Sequence, residues 1–186
     1  MTNIPRRALL GGAGASLMLT AACGNGVGSR GSDTIDARVD ATHNFLYSRY
    51  PNTISLREKA VGILTMPLVT KAGFGVGGSY GRGALRVNDV TVDYYSATSG
   101  TIGFQIGAQQ YAHSLFFMTA EALEGFRRSS GWEAGADVEY TLNENGENLS
   151  AATTTSLAPV IALIYGQAGL IAGATLKGTK YNRIIP

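Results

Sequence analysis

Residues 71–85 read Lys71-Ala-Gly-Phe-Gly-Val-Gly-Gly-Ser-Tyr-Gly-Arg-Gly-Ala-Leu85, and this stretch decides the fold of the chain. Glycine alternates with Phe74 and Val76, which is the period of a β-strand with one bare face and one bulky face. Because glycine weakens a strand, its repeated use predicts a bulge, a tight bend or a second backbone packed close by.

The same stretch contains the pattern G-x-G-x-x-G between Gly73 and Gly78. That pattern binds a dinucleotide only where its turn opens a helix whose N-terminus holds the pyrophosphate. Here the chain continues as Ser79-Tyr-Gly-Arg-Gly-Ala-Leu85, which is strand-like and too rich in glycine for a helix. We therefore expect no nucleotide site in this stretch. We expect no other cofactor either.

Composition favours one compact, β-rich domain. The chain has 186 residues, of which 45% are apolar and 25 are glycine. Charged residues make up 15%, below the usual ~25%. Low charge with an ample apolar fraction argues against a disordered or nucleic-acid-binding chain.

Segments of strand character surround the glycine-rich stretch. Pro67 either ends the strand before it or places that strand at a sheet edge, while Asn88-Asp89 and Ser99-Gly100 are turn signals. The strand candidates are 63–67, 90–95, 101–108, 113–118, 131–140, 159–165, 169–176 and 179–185. Their short spacing predicts an α+β fold with a curved antiparallel sheet or small barrel.

An N-terminal helix is predicted before the sheet. It starts at Asp33 or Thr34, either of which can cap it, and ends at Pro51. Phe45 widens its apolar stripe, which consists of Ile35, Val39, Leu46 and Tyr50.

Two shorter helices are predicted from capping signals. Ser55 and Glu58 have the spacing of a capping box for a second helix that completes an N-terminal pair. Thr119 caps a helix inserted between strands, which ends near Arg127 and Arg128.

The first 23 residues have the features of an export signal. Arg6 and Arg7 precede a short apolar run at 8–22, which predicts a secretory signal peptide. Leu19-Thr-Ala-Ala-Cys23 resembles the bacterial lipobox, which implies that Cys23 becomes the first residue and carries lipid such as palmitate. The paired arginines also resemble a twin-arginine signal, so the export route stays open. The alternative for Cys23 is an ordinary buried thiol.

The predicted domain organisation follows from that signal. Residues 1–23 form the lipoprotein signal, 24–33 a flexible tether rich in glycine and serine, and 34–186 the domain. Processing removes two of the 15 basic residues and leaves 13 against 13 acidic residues, so we expect no nucleic-acid partner. Gly24 rather than aspartate follows Cys23, which resembles lipoproteins sorted to the outer membrane.

Many residues of the chain resemble the SYLF lipid-binding domain, also called the yeast actin-patch type domain. Lys59-Ala-x-Gly-Ile-Leu, then Pro67 and the stretch 71–85, fit its pattern. The match continues in order through Tyr94-Tyr-Ser, Gly103-Phe-Gln-Ile-Gly-Ala-Gln109, Leu115-Phe-Phe-Met-Thr, Ala122-Leu-x-x-Phe126, Gly131-Trp132 and Gly178-Thr-Lys180. The resemblance covers about Leu56 to Ile184.

That resemblance implies a non-enzymatic module that binds membrane phospholipids. Eukaryotic members bind phosphoinositides, some bind actin filaments, and their lipid contact is attributed to a basic amphipathic N-terminal segment. This chain departs there, because its first helix carries Asp36 and Asp40 beside Arg38 and Arg49. We expect a lipid-anchored protein of the bacterial cell envelope; the alternative is an envelope structural protein that docks a protein partner.

Basic residues are the candidates for contact with lipid headgroups. Several lie within or beside glycine-rich segments, where exposed backbone N–H groups also favour phosphate. The candidates are Lys59, Lys71, Arg82, Arg86, Lys177, Lys180 and Arg183. The alternative for each residue singly is scattered surface charge.

No constellation of catalytic or metal-binding residues is evident in the sequence. His43 and His113 stand alone, and both are expected to be structural or solvated. Glu133, Asp137 and Glu139 share one face of a predicted strand, which indicates a solvated face or, alternatively, a cation site. We therefore expect no enzymatic activity and no metal.

Overall fold

The structure, a computed structural model, describes residues 29–74, 76–102, 107–135, 138–140, 158–166, 169–170 and 176–186. The predicted signal peptide, Cys23 and most of the predicted tether lie outside these residues. Helix α1 covers Gly31–Arg49, a 3-10 turn covers Pro51–Thr53, α2 covers Ile54–Lys59 and α3 covers Ala120–Arg128.

Helix α1 confirms the predicted apolar stripe. The buried residues of its inner face are Ile35, Val39, His43 and Leu46, and Tyr50 is buried directly after it. The helix begins at Gly31, however, because Arg30 occupies the N-cap without a side-chain hydrogen bond. The prediction that Asp33 or Thr34 caps it was wrong, and Phe45 is 38% exposed rather than part of the buried stripe.

The two shorter helices form where the capping signals lie. Thr119 caps α3 as predicted, since its Oγ1 accepts a hydrogen bond from the backbone N–H of Ala122 at 3.2 Å. Ser55 does not form a capping box, because its hydroxyl donates to the carbonyl of Asn52 instead.

The described strands build one sheet. They are β1 (Gly62–Phe74), β2 (Val76–Val87), β3 (Val90–Ile102), β4 (Gly107–Phe117), β5 (Trp132–Glu133), β6 (Val138–Tyr140), β7 (Val160–Gly166), β8 (Gly169–Leu170) and β9 (Lys180–Ile184). Their order is β5-β9-β3-β2-β1-β4-β7-β6, with β8 on β7. Every pair is antiparallel except β6 with β7, so the predicted antiparallel sheet has one parallel pair at its end.

Three local predictions were wrong. Ser99-Gly100 is no turn but lies inside β3, where Gly100 pairs with Gly78 of β2. The predicted strand 131–140 is divided into β5 and β6, which lie at opposite ends of the sheet. Strand β1 continues through Pro67 as a central strand between β2 and β4.

A β-bulge explains how proline sits in a central strand. On the β4 side the register runs from Met66 opposite His113 to Val69 opposite Tyr111, so two residues of β1 face one of β4. Those two residues are Pro67 and Leu68. Proline has no N–H to give to a ladder, and a bulge is one of the few places in a sheet that tolerates it.

The glycines of β2 make room for that bulge. A Cβ at Gly83 would overlap the carbonyl oxygen of Thr65, and a Cβ at Gly81 would lie 2.8 Å from the carbonyl oxygen of Leu68. The close backbone approach predicted from the glycine pattern is thus confirmed, and the partner is the bulged strand β1.

The sheet is curled, with a core on each face. The concave face holds Leu64, Met66, Leu115 and Phe117 together with the ring of Phe126 from α3. The convex face is covered by α1 and α2, and its core includes Leu46, Leu56, Phe116, Ile161 and Leu163. In the described part of the chain the strand order has two ends, so the sheet is open.

Candidate functional site

A groove beside α3 gathers three arginines. Its volume is about 420 Å³, and its lining residues are Val61, Ala120, Leu123, Glu124, Arg127, Arg128 and Arg183. We call this the arginine groove. It joins the segment before β1, one side of α3 and strand β9.

The α3 residues of the groove form a single helical stripe. Ala120, Leu123, Glu124, Arg127 and Arg128 follow the i, i+3, i+4, i+7, i+8 spacing of one helix face. The Thr119 cap sets where this helix starts and therefore which face turns to the groove. The stripe is apolar near the N-terminus of α3 and cationic at its C-terminus, where cations also favour the helix dipole.

One carboxylate holds two of the three arginines in place. Asp93 of β3 accepts from Nε of Arg127 at 3.1 Å with one oxygen and pairs with Nε of Arg183 at 3.3 Å with the other. Arg183 also donates to the backbone carbonyl of Arg127 at 3.2 Å. The Asp93 side chain is only 14% exposed. Because this largely buried carboxylate bonds to both guanidinium groups, it restricts the positions of Arg127 and Arg183.

The groove keeps an excess of positive charge. Arg128 pairs with Glu124 one helical turn earlier, and its side chain is 76% exposed. The Tyr95 hydroxyl, together with the Asp93 carboxylate, raises the pKa of Arg183 above its ordinary value. Three guanidinium groups thus face two carboxylates, and the arginines stay charged at any physiological pH.

Such an arrangement suits an anionic amphiphile. Guanidinium groups bind phosphate oxygens through charge-assisted, often bidentate hydrogen bonds. The exposed Val61, at 38%, and the half-buried Leu123 offer apolar contact at the other end of the groove. The groove thus offers guanidinium groups for a phosphate at one end and apolar contact at the other.

The structure brings only one of the predicted headgroup residues, Arg183, into this groove. Arg86 is held at the α1 side of the sheet, where it donates to Asp40 at 2.6 Å. Lys71 of β1 pairs with Ser79 of β2, so these two side chains lie on the same sheet face. Arg82 is three residues after Ser79 on β2 and therefore lies on the opposite face from Lys71.

The remaining three candidates are dispersed. Lys59 ends α2, Lys177 lies in the turn before β9, and Lys180 opens β9 opposite Thr98. All three are exposed. A lipid-binding role for the seven predicted residues therefore stays a prediction, and they do not share one site.

Arg127 and Arg128 are the groove residues that sequence reasoning missed. They were interpreted only as charges that favour a helix C-terminus. The available signal was the stripe from Ala120 to Arg128, which is apolar at one end and cationic at the other. Their meeting with Arg183 depends on the fold, because the two chain segments are 56 residues apart.

A second polar cavity, of about 360 Å³, adjoins α2 and the β2–β3 turn. Its two arginines are already neutralised, Arg57 by Asp89 at 2.7 Å and Arg86 by Asp40 at 2.6 Å. Asn88 and Asp89 form the predicted turn with positive φ values of 50° and 64°. This cavity offers less unpaired positive charge than the arginine groove.

Both histidines are buried and hydrogen-bonded to other side chains of the fold. His43 Nε2 lies 2.8 Å from Thr65 Oγ1, and burial together with the charges of Arg86 and Arg57 lowers its pKa to about 4. His113 is fully buried, and burial lowers its pKa to about 3. Each is therefore neutral at physiological pH.

The predicted carboxylate face does not form as one surface. Glu133 lies on β5 and Glu139 on β6, at opposite ends of the strand order, while Asp137 lies outside the described residues. Among the residues that the structure describes, no three His, Cys, Asp or Glu side chains are grouped to hold a metal ion. None of the described helices is both long and apolar enough to cross a membrane.

Comparison with known proteins gives one family match. Residues 98–183 match the model of the Ysc84 family, described as Las17-binding protein actin regulator. No curated protein matches the chain. The matched segment runs from β3 to β9 and includes α3, Arg127, Arg128 and Arg183. Over these residues the chain is similar to the SYLF domain family, which the Ysc84 model represents, and the resemblance seen in the sequence is thereby confirmed.

Proposed function

We propose that this chain is a lipid-anchored protein of the bacterial cell envelope whose SYLF domain binds the headgroups of anionic phospholipids without catalysing a reaction. The observation that carries the proposal is the arginine groove, in which Asp93 orders Arg127 and Arg183 while Arg128 is largely exposed. A preordered cationic site binds an anion with less loss of side-chain freedom than scattered lysines do.

The anchor in this proposal is the thioether-linked lipid of Cys23, with the outer membrane as its destination. The lipobox-like sequence supports the first point and Gly24 supports the second. With such an anchor, a cationic surface on the domain adds an electrostatic contact with anionic headgroups at the same membrane.

Co-sedimentation with liposomes tests the headgroup contact. The chain without residues 1–23 is mixed with anionic and with neutral vesicles at low and at high salt. We expect binding to anionic vesicles at low salt that is lost at high salt, because the contact is electrostatic. Binding to both vesicle types would indicate apolar insertion instead.

Matched charge variants test whether the headgroup contact lies in the arginine groove. Arg128→Gln with Arg183→Gln removes two groove charges, and Arg30→Gln with Arg38→Gln removes two exposed charges from the start of α1. Both double variants have the same net charge. We expect the groove variant to lose most of its binding to anionic vesicles and the α1 variant to keep it; equal loss would refute the groove as the site.

A protein partner is the second candidate function. The matching family is described as binding Las17 and regulating actin, which favours protein recognition by this fold. In this chain the partner would be another envelope protein. Absence of binding to both vesicle types, with recovery of a stoichiometric envelope partner, would favour this function over the first.

A further inference from the structure

Three side chains of α1 that change charge in acid contact the sheet. Asp36, Asp40 and His43 have the i, i+4 and i+7 spacing of one helix face. They bond in that order to β3, β2 and β1, so each contacts a different strand. The attachment of α1 to the sheet therefore includes a titratable group in each of its central turns.

The two carboxylates hold polar groups of β2 and β3. Asp36 accepts hydrogen bonds from Thr91 Oγ1 at 2.8 Å and from the Tyr94 hydroxyl at 2.7 Å. Arg86 donates to Asp40 at 2.6 Å, and a second nitrogen of Arg86 lies 4.0 Å from Asp36. Because the Arg86 side chain is only 13% exposed, protonation of these carboxylates leaves a largely buried positive charge without its partners.

His43 begins a chain of buried hydroxyl groups beneath α1. Its Nε2 lies 2.8 Å from Thr65 Oγ1, which lies 3.0 Å from Ser114 Oγ. Ser114 Oγ in turn lies 2.8 Å from the Tyr165 hydroxyl. When His43 is neutral, each hydroxyl can donate to the next group, and the chain ends at the acceptor Nε2. A protonated ring donates at Nε2 and reverses the chain, so the Tyr165 hydroxyl is left without an acceptor among the described residues.

Charges of both signs surround His43, and the influences that disfavour its protonation prevail. Burial lowers the pKa of His43 to about 4, and the charges of Arg86 and Arg57 act in the same direction. The titratable groups around the ring are Asp40 and Tyr47 of α1, Arg57 and Glu58 of α2, Arg86 of β2, Asp89 of the β2–β3 turn and Tyr165 of β7. A His43 ring that has left the sheet takes up its proton near the ordinary pKa of about 6.5. The detached form is therefore favoured by up to about tenfold per pH unit as the pH falls from about 6.5 to 4.

The apolar contacts of the first part of α1 are separate from the two main cores. Ile35 and Val39 pack against Ala84 and the half-buried Tyr94 in a cluster of their own. The described members of the concave core include no residue of α1. Leu46, near the end of the helix, belongs to the convex core instead. The strands and the concave core can thus stay folded when the first part of α1 leaves, with Leu46 as a remaining contact.

We propose that acid detaches the first part of α1, from Ile35 to His43, while the strands stay folded. Detachment exposes Ile35 and Val39 of the helix and Ala84 of β2, which are covered at neutral pH. The domain thus has two forms that differ in exposed apolar surface, and the pH sets their ratio. The contacts that control this ratio involve none of the residues that line the arginine groove.

Amide hydrogen exchange of the full chain at pH 6.5 and 4.5 tests the proposal, with each rate divided by the intrinsic rate at that pH. A free helix of this length is marginal in water, so a detached α1 loses its protection from exchange. We expect the protection of residues 35–43 to fall about tenfold or more at pH 4.5, and β1 and β4 to remain better protected than α1. Unchanged protection of α1 would overturn the proposal, and so would equal protection of α1 and the strands at pH 4.5.

A variant without the titratable ring isolates the part played by His43. The amide of His43→Gln can still bond Thr65 Oγ1 but takes up no proton. We expect the loss of α1 protection between pH 6.5 and 4.5 to be about tenfold smaller in this variant than in the wild type. A loss as large as that of the wild type would overturn the proposal.

Two matched variants at the start of α1 test the contact with β3. Asp36→Asn and Asp33→Asn each remove one carboxylate, but the Asp33 side chain is exposed, whereas Asp36 bonds Thr91 and Tyr94. We expect Asp36→Asn to lower the protection of residues 35–43 already at pH 6.5 and Asp33→Asn to leave it close to that of the wild type. Equal protection in the two variants would overturn the proposal. Exchange of the β1 and β4 amides in the same experiment shows whether each variant is folded.

Discussion

The Tyr181 hydroxyl on β9 lies 2.8 Å from Nε2 of His113 on β4. Three strands separate β9 from β4 in the sheet order. At the usual ~4.8 Å between neighbours, a flat sheet would hold the two strands about 19 Å apart. The two side chains meet because the sheet curls, so this hydrogen bond closes the concave face across the open sheet.

Tyr181→Phe should destabilise the protein by about 1–3 kcal/mol, the usual cost of leaving a buried polar group without its partner. His113 is fully buried and its Nδ1 has no partner, so loss of the tyrosine hydroxyl leaves the ring wholly unsatisfied. Urea unfolding measures the change. Tyr80→Phe removes a hydroxyl from a side chain that is 53% exposed and should have no effect.

Gly83→Ala should destabilise the fold by about 1–3 kcal/mol or more, because the added methyl group overlaps the carbonyl of Thr65 at the bulge. Gly100→Ala is the matched control on the neighbouring strand. A Cβ there meets nothing within 4 Å, so the change should be neutral or stabilise by about 0.5–1 kcal/mol. Equal midpoints of urea unfolding for the two variants would contradict the role given to Gly83.

Stability should fall as the pH decreases from about 6.5 towards 4. The pKa of His43 is lowered to about 4 and that of His113 to about 3 in the folded protein, against an ordinary value near 6.5. Below pH 6.5 the unfolded chain therefore binds protons that the folded chain does not. Each histidine then costs up to ~1.4 kcal/mol of unfolding free energy per pH unit.

His43→Gln tests this pH dependence. Glutamine has an amide that can still bond Thr65 Oγ1 but does not titrate, so the slope between pH 6 and 4.5 should fall by about half. Unfolding free energies measured by urea at several pH values give the slope. An unchanged slope would show that other groups control the acid response.

Cys23 should carry the lipid anchor when the full chain is made in a bacterium. Labelled palmitate should enter the wild-type protein, and Cys23→Ser should abolish the label because the sequence has no other cysteine. If the serine variant were labelled, or if the wild-type protein were not, the lipid anchor at Cys23 would be excluded.

The sequence was most informative where one local pattern determines the element. The stripe of Ile35, Val39 and Leu46 predicted α1, and Thr119 predicted the start of α3. The glycines predicted a close backbone contact but not its partner. Pro67 was misjudged because proline commonly ends a strand, whereas here Gly81 and Gly83 on the neighbouring strand make a bulge possible.

The arginine groove was harder to predict for a different reason. Arg127 and Arg128 have a sufficient local explanation at the end of α3. Their shared environment with Arg183 depends on Asp93, which lies on a third segment of the chain. A local sequence pattern does not predict such long-range pairing. For the same reason the division of 131–140 into two distant strands could not be predicted from the sequence.

The hydrogen bond from Ser29 to the carbonyl of Pro186, at 2.9 Å, also limits how far the domain can move from an anchor. Five residues separate Cys23 from Ser29, and even fully extended the six peptide links between them span only about 20 Å. With a lipid on Cys23, the folded domain would face the membrane at an effective concentration in the millimolar range. A groove with only weak intrinsic affinity for a headgroup would then be occupied most of the time.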